Sequence, residues 1–149
     1  MTRKRFVKVQ FYDPDIGYEN LWAEAVAGRL YRLESVPFFI YGVSRDDVVA
    51  VKPDVEGRLQ FVEVKKQSGN RTLRARSDRF LRSSKFRNQV KTELSKLGAD
   101  SEELRHRLLA INVPKGTDLI PITDYLTHTA KVSWEYGNPE GMNKPKAPQ

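Results

Sequence analysis

The chain has 149 residues, no cysteine and a formal charge of +7. That length supports one self-sufficient core without a metal or disulfide. The missing thiols exclude disulfides, thiolate metal sites and cysteine nucleophiles, and they fit a reducing compartment. The start, MTRKRFVKVQF, is basic but is not followed by the 7–15 apolar residues of a signal peptide. No run approaches the ~18 apolar residues of a membrane-crossing helix, so a cytoplasmic protein without a membrane partner is expected.

The first half reads as short strands. Val7, Val9 and Phe11 alternate with Lys8 and Gln10, the signature of a half-buried strand. Asp13-Pro14-Asp15-Ile16-Gly17 is turn chemistry. A second strand over Tyr18 to Val26 reverses at Ala27-Gly28 into Leu30 to Leu33, which makes those strands antiparallel neighbours. Val36-Pro37-Phe38-Phe39-Ile40-Tyr41 is the most apolar run. Its proline predicts an edge or bend that inserts aromatics into the core. Strands over Val48 to Lys52, Leu59 to Lys66 and Arg71 to Arg76 complete a meander, which predicts a curled sheet or small barrel.

The period then changes. Phe86, Val90, Leu94 and Leu97 form one helical stripe, with Ser84 as N-cap and Gly98 after the C-terminus. Leu108 to Val113 is a strand stopped by Pro114. A short helix carries Leu119, Ile122, Tyr125 and Leu126, and Val132 to Tyr136 is a last strand. The predicted fold is α+β: a β-rich N-terminal meander or small barrel, then a β-α-β-α-β half. The halves share one core built on Phe38, Phe39, Phe61, Phe86, Val90 and Leu94. Residues 1–136 form a single globular domain with subdomains of about 5–70 and 71–136. Residues 137–149 lack an apolar period and are expected to be a flexible tail.

Several segments together resemble a bacterial family of unknown function, DUF4265. They are Glu19-Asn20-Leu21-Trp22-Ala23-Glu24, Leu33-Glu34-Ser35-Val36-Pro37-Phe38-Phe39, Tyr41-Gly42-Val43 leading to Asp47-Val48-Val49, and Ser68-Gly69-Asn70-Arg71-Thr72-Leu73-Arg74. Leu97-Gly98-Ala99 and Ala110-Ile111-Asn112-Val113-Pro114 fall where the family has comparable segments. The resemblance covers roughly residues 5 to 136. It implies no catalytic residues and no cofactor.

Charge supplies the functional signal. Residues 65 to 91 hold ten Lys or Arg and one acid, Asp78, a local +9 that exceeds the charge of the whole chain. Such a concentration points to an anionic partner. On the strand, Thr72, Arg74 and Arg76 share one face with Asn70, opposite Arg71, Leu73 and Ala75. Arg forks suit phosphate or carboxylate, and equally suit acids on neighbouring strands such as Glu63 or Glu24. Arg79 and Arg82 precede the helix. Arg87 and Lys91 lie four apart, off its apolar stripe. If the helix packs beside the strand, Arg71, Thr72, Arg74, Arg76, Arg79, Arg82, Arg87 and Lys91 join into one binding patch. Phe80 and Phe86 are the only aromatics in the run, and Phe86 belongs to the core, so backbone contact is favoured over base stacking.

Other patterns are weaker. Ser68-Gly69-Asn70 precedes a strand and is a turn, not a phosphate loop. Asp46-Asp47 is too sparse for a metal. His106 and His128 have no adjacent nucleophile in a recognisable motif. The expected function is therefore non-catalytic binding of an anionic macromolecule, with the nucleic-acid backbone favoured. An immunity or regulatory protein that binds an acidic protein partner is the alternative, and an enzyme comes third.

Overall fold

Alternation in the first strand sets the architecture. In β1 (Phe6–Asp13), Val9 and Phe11 are buried while Lys8 and Tyr12 face water. The following turn is pinned by Asp13, whose Oδ1 accepts the backbone N–H groups of Asp15 at 2.8 Å and Ile16 at 3.1 Å. Gly17 adopts a φ of 100°, which a side chain would resist. β2 (Gly17–Ala27) then runs back along β1 from Asp13↔Gly17 to Phe6↔Glu24. β3 (Leu30–Leu33), β4 (Val48–Pro53) and β5 (Leu59–Lys66) continue the meander.

Hairpin-linked strands alternate in direction, so the fifth runs parallel to the first. The sheet closes into a barrel by that parallel pairing, limited to Val9↔Leu59 and Gln10↔Gln60. The computed structural model describes residues 5–137. Gly137 is buried and paired with Gly42 and Thr72, so it belongs to the fold and not to the expected tail. The rest of that tail, 138–149, lies outside the described residues.

The second half is an antiparallel sheet in the order β7-β8-β6-β9. Its strands are β6 (Arg71–Arg76), β7 (Asp100–Leu104), β8 (Leu108–Val113) and β9 (Ser133–Tyr136). α1 (Asp78–Arg82) and α2 (Ser84–Lys96) link β6 to β7. Ser77 caps α1 and Ser83 caps α2, one residue before the predicted cap; Ser83 Oγ accepts the Phe86 N–H at 3.1 Å. α3 (Ile120–Asp124) continues into a π-helical segment, Tyr125–Thr129, before β9.

The fold class is α+β, but the second half contains two elements beyond the predicted β-α-β-α-β order. α1 has five residues, too few to show a period. β7, Asp-Ser-Glu-Glu-Leu, is almost wholly polar because it is an edge strand, where charge discourages pairing with another chain.

The expectation of one shared core is corrected: the apolar interior is two clusters. The barrel holds Val9, Phe11, Leu21, Ala23, Leu33, Val49 and Val51, with Phe61 stacked on Phe11 at 4.5 Å. The sheet packs Leu73, Ala75, Leu109, Ile111 and Val113 against Phe80, Phe86, Val90, Leu94, Ile122 and Leu126. Phe38 is half-buried and Phe39 is 44% exposed, and neither belongs to a cluster.

The physical reason is geometric. A small closed barrel fills its interior with its own side chains. The helices already cover the apolar face of the sheet, so polar groups join the two parts. Arg45 reaches Asp100 at 3.1 Å and Glu102 at 3.0 Å. The Ser44 and Thr72 hydroxyls meet at 2.7 Å. Asp47 accepts the backbone N–H groups of Ser44 at 2.9 Å and Ser68 at 2.8 Å. Burial pushes the Asp47 carboxyl above its ordinary range, against the pull of those donors. Among the described residues no helix is long and apolar enough to cross a membrane.

Candidate functional site

The segment 37–41 forms one wall of a cleft, and two buried charges fix its shape. Glu19 points inward from β2, and its carboxylate accepts three consecutive amides: Phe38 at 2.7 Å, Phe39 at 3.0 Å and Ile40 at 2.8 Å. Hydrogen bonds to a charged acceptor are about twice as strong as neutral ones. From the sheet, Arg74 Nη2 donates to the Ile40 carbonyl at 2.7 Å and to the Gly137 carbonyl at 3.3 Å. Ile40 is therefore held at its N–H by an anion and at its C=O by a cation.

Arg74 is only 3% exposed. Its guanidinium lies over the Tyr41 ring, 4.5 Å from the centroid. Glu135, its cross-strand neighbour, approaches Nε at 3.6 Å, within ion-pair range but beyond a hydrogen bond. Burial outweighs the attraction of Glu135, Tyr41 and Glu19 and lowers the Arg74 pKa. Arginine nevertheless stays charged at any physiological pH. Nη1 of Arg74 is buried and has no hydrogen-bond partner among the described residues. Glu135 instead accepts the Tyr41 hydroxyl at 2.6 Å. Burial and that bond raise the pKa of the phenol.

The cleft beside this wall has a volume of about 980 Å³. Phe38, Phe39 and Tyr41 line one side, and Arg74, Arg76, Arg105, Arg107 and Leu108 the other. Arg76 sits at the exposed end of β6, two residues beyond Arg74 on the same face. Arg105 and Arg107 flank His106 in the three-residue turn between β7 and β8. Arg105 and His106 both adopt left-handed backbone, with φ of 53° and 58°. That conformation costs roughly 1–2 kcal/mol per non-glycine residue. Such strain clusters at functional positions. Arg76, Arg105 and Arg107 are exposed and make no ion pair among the described residues. The arrangement places three guanidinium groups that make no ion pair among the described residues beside the exposed rings of Phe39 and Tyr41.

The structure does not bring the predicted residues into one patch. As alternation predicts, Thr72, Arg74 and Arg76 share one face of β6. The helices cover the opposite face, that of Leu73 and Ala75, so Arg87 and Lys91 lie on the other side of the sheet. Arg87 donates to the Phe80 carbonyl and pairs with Glu103 at 3.5 Å, and Lys91 meets the same carboxylate at 3.3 Å. Arg79 stacks on Phe86 at 3.7 Å, and Arg82 is exposed. Arg71 is tied to the carbonyls of Pro114, at 2.9 Å, and Thr117. Thr72 is buried against Ser44. Of the predicted set, Arg74 and Arg76 alone line the cleft. Arg74 pairs with neither Glu63 nor Glu24, which hold Lys65 and Arg32.

Sequence reasoning missed Arg105, Arg107, Phe39, Tyr41, Glu19 and Glu135. For Arg105 and Arg107 a signal existed: a basic tripeptide, Arg-His-Arg, sits between a polar segment and an apolar strand, where a short turn displays it. Phe39 and Tyr41 were hidden by their apolar context. Among the described residues no group of three His, Asp or Glu side chains is placed to hold a metal ion.

No curated protein matches the chain. Its fold is similar to a crystal structure of a hypothetical protein from Neisseria gonorrhoeae, with a TM-score of 0.64 and 16% identity over 93% of this chain and 96% of that one. The domain of unknown function DUF4265 matches residues 19–136, a span that contains the cleft, and the chain belongs to that family.

Proposed function

We propose that this protein is a non-catalytic, cytoplasmic binding protein whose arginine cleft takes an anionic macromolecule, with the nucleic-acid backbone favoured. One observation carries the reading: Arg76, Arg105 and Arg107 converge, unpaired, beside Phe39 and Tyr41. Arginine forks recognise phosphate bidentately. Exposed rings beside them offer the stacking platforms that bases require. The helix side is a poorer receptor, because Glu103 partly neutralises Arg87 and Lys91.

Fluorescence anisotropy with labelled oligonucleotides tests this. Three phosphate contacts to a single strand give a slope of about −2 in log K against log salt, with little sequence preference. Arg105→Glu/Arg107→Glu is expected to abolish binding, and Arg82→Glu, at an exposed position on the helix side, to leave it nearly unchanged. No binding at about 50 mM salt, where such contacts are strong, would remove nucleic acid as the ligand. An acidic protein surface would then be the partner.

A further inference from the structure

The turn between β7 and β8 has a backbone that its residues do not favour. The Arg107 N–H donates to the Leu104 carbonyl at 3.1 Å, which closes a tight turn over Leu104 to Arg107. Both central residues, Arg105 and His106, have positive φ, the mark of a I′ turn. Hairpins that need this turn favour Asn-Gly, whose residues enter the left-handed region with the least strain. Arginine followed by histidine is a strained choice, and strain persists only where the surroundings hold it in place.

Two contacts hold this turn. At its far end the Arg107 carbonyl accepts the Ser77 N–H at 3.4 Å. At its centre His106 Nδ1 lies 3.1 Å from Glu103 Oε1. The other oxygen of Glu103 is gripped by α2, with Lys91 Nζ at 3.3 Å and Arg87 Nε at 3.5 Å. Burial pushes the Glu103 carboxyl up, but the bonds from His106 and Lys91 and the charges of Lys91 and Arg87 keep it below its ordinary value. It is therefore a carboxylate and can only accept, so His106 Nδ1 carries the proton and donates. The neighbours on either side, Arg105 and Arg107, line the cleft, while His106 turns to Glu103.

We infer that His106 is a positioning residue of the cleft: through Glu103 it ties the turn to α2 and so holds Arg105 and Arg107 ready for an anionic ligand. This rests on the cleft reading and gives the helix charges a part in it. Arg87 and Lys91 do not touch the ligand; they hold the carboxylate that holds the turn. Forks fixed in advance bind more tightly, because less loop and side-chain freedom is lost on association.

Two substitutions at one position separate the tether from the backbone. Glycine takes positive φ freely but has no donor. Asparagine tolerates the left-handed region and carries an amide donor. The probe is an oligothymidylate of about 12 nucleotides, within the site size of single-strand binders, followed by fluorescence anisotropy at about 50 mM salt. Amide hydrogen exchange at Arg107 reads the turn without ligand. His106→Gly is expected to weaken binding about tenfold, the scale of ordering one or two long side chains. It should also speed exchange at Arg107 and leave the urea midpoint close to the parent's. His106→Asn should restore both affinity and slow exchange. If His106→Gly binds with parental affinity, the positioning role is overturned while the cleft reading survives. Weaker binding with parental exchange at Arg107 would make His106 a ligand contact and overturn the tether as well. If the parent itself does not bind, the cleft reading falls and takes this role with it.

Discussion

Arg74 separates a structural charge from a binding one. Replacing it with alanine removes the donor to the Ile40 carbonyl at 2.7 Å and to Gly137 at 3.3 Å; the Gly137 carbonyl keeps the Gly42 N–H at 3.0 Å, but the Ile40 carbonyl loses its donor in a region 3% exposed at the arginine. Breaking a buried charge arrangement from one side costs about 3–5 kcal/mol. Loss of the ring contact with Tyr41 adds about 0.5–2 kcal/mol. Against this, Nε and Nη1 lack hydrogen-bond partners among the described residues, so the cation already bears an uncompensated desolvation cost. The net expectation for Arg74→Ala is therefore near the lower bound, about 3 kcal/mol. Arg74→Met keeps much of the volume without the charge and should cost about half as much, the size of one unsatisfied buried carbonyl. Arg76→Ala, exposed and unpaired, should stay within about 0.5 kcal/mol of the parent. Urea unfolding of the three variants gives the comparison. If Arg74→Ala melts within about 1 kcal/mol of the parent, or no further from it than Arg76→Ala, the clamp on Ile40 does not hold the wall.

Other perturbations probe the same architecture. Glu19→Ala removes the acceptor of three amides, of which Ile40 alone is fully buried, and should cost about 2–3 kcal/mol by urea melt. Phe39→Ala should change stability by less than about 1 kcal/mol yet weaken ligand binding, whereas Phe61→Ala, stacked on Phe11, should cost about 2–4 kcal/mol. The Glu103 carboxyl is pushed up by burial, but His106, Lys91 and Arg87 together hold it below its ordinary value of 4.5. A depressed folded-state pKa contributes stability above 4.5 that is lost as pH falls through the folded value. Stability measured against pH should therefore fall less steeply on the acid side for Glu103→Gln than for the parent.

The legible parts of this fold are those with strong local periodicity. Val7-Val9-Phe11 and the Phe86/Val90/Leu94 stripe each state their element and their buried side. The alternation in Arg71 to Arg76 correctly places Arg74 and Arg76 on one face. What alternation cannot state is what that face meets. Arg74 reads as a ligand contact in the sequence because nothing local shows that segment 36–41 folds over it. Phe38 and Phe39 read as core because their run is apolar, but the distant carboxylate of Glu19 captures their amides and leaves Phe39 at the surface. The +9 stretch looks like one patch only along the chain. Strand and helix lie on opposite sides of a sheet, and Glu103, from an edge strand that has no period, takes up part of the helix charge. Arg105 and Arg107 fall outside the stretch and approach the cleft only because β7 and β8 form a hairpin.

The most direct test is a map of the ligand's footprint. Backbone amide chemical shifts should be followed while an oligothymidylate of about 12 nucleotides, within the site size of single-strand binders, is added to the full chain at low salt. Binding in the cleft predicts shifts centred on Phe39 to Tyr41, Arg76 and Arg105 to Leu108. Residues Arg79 to Lys91 on the helix side should stay still. Shifts confined to Arg79 to Lys91, with the cleft silent, would contradict it.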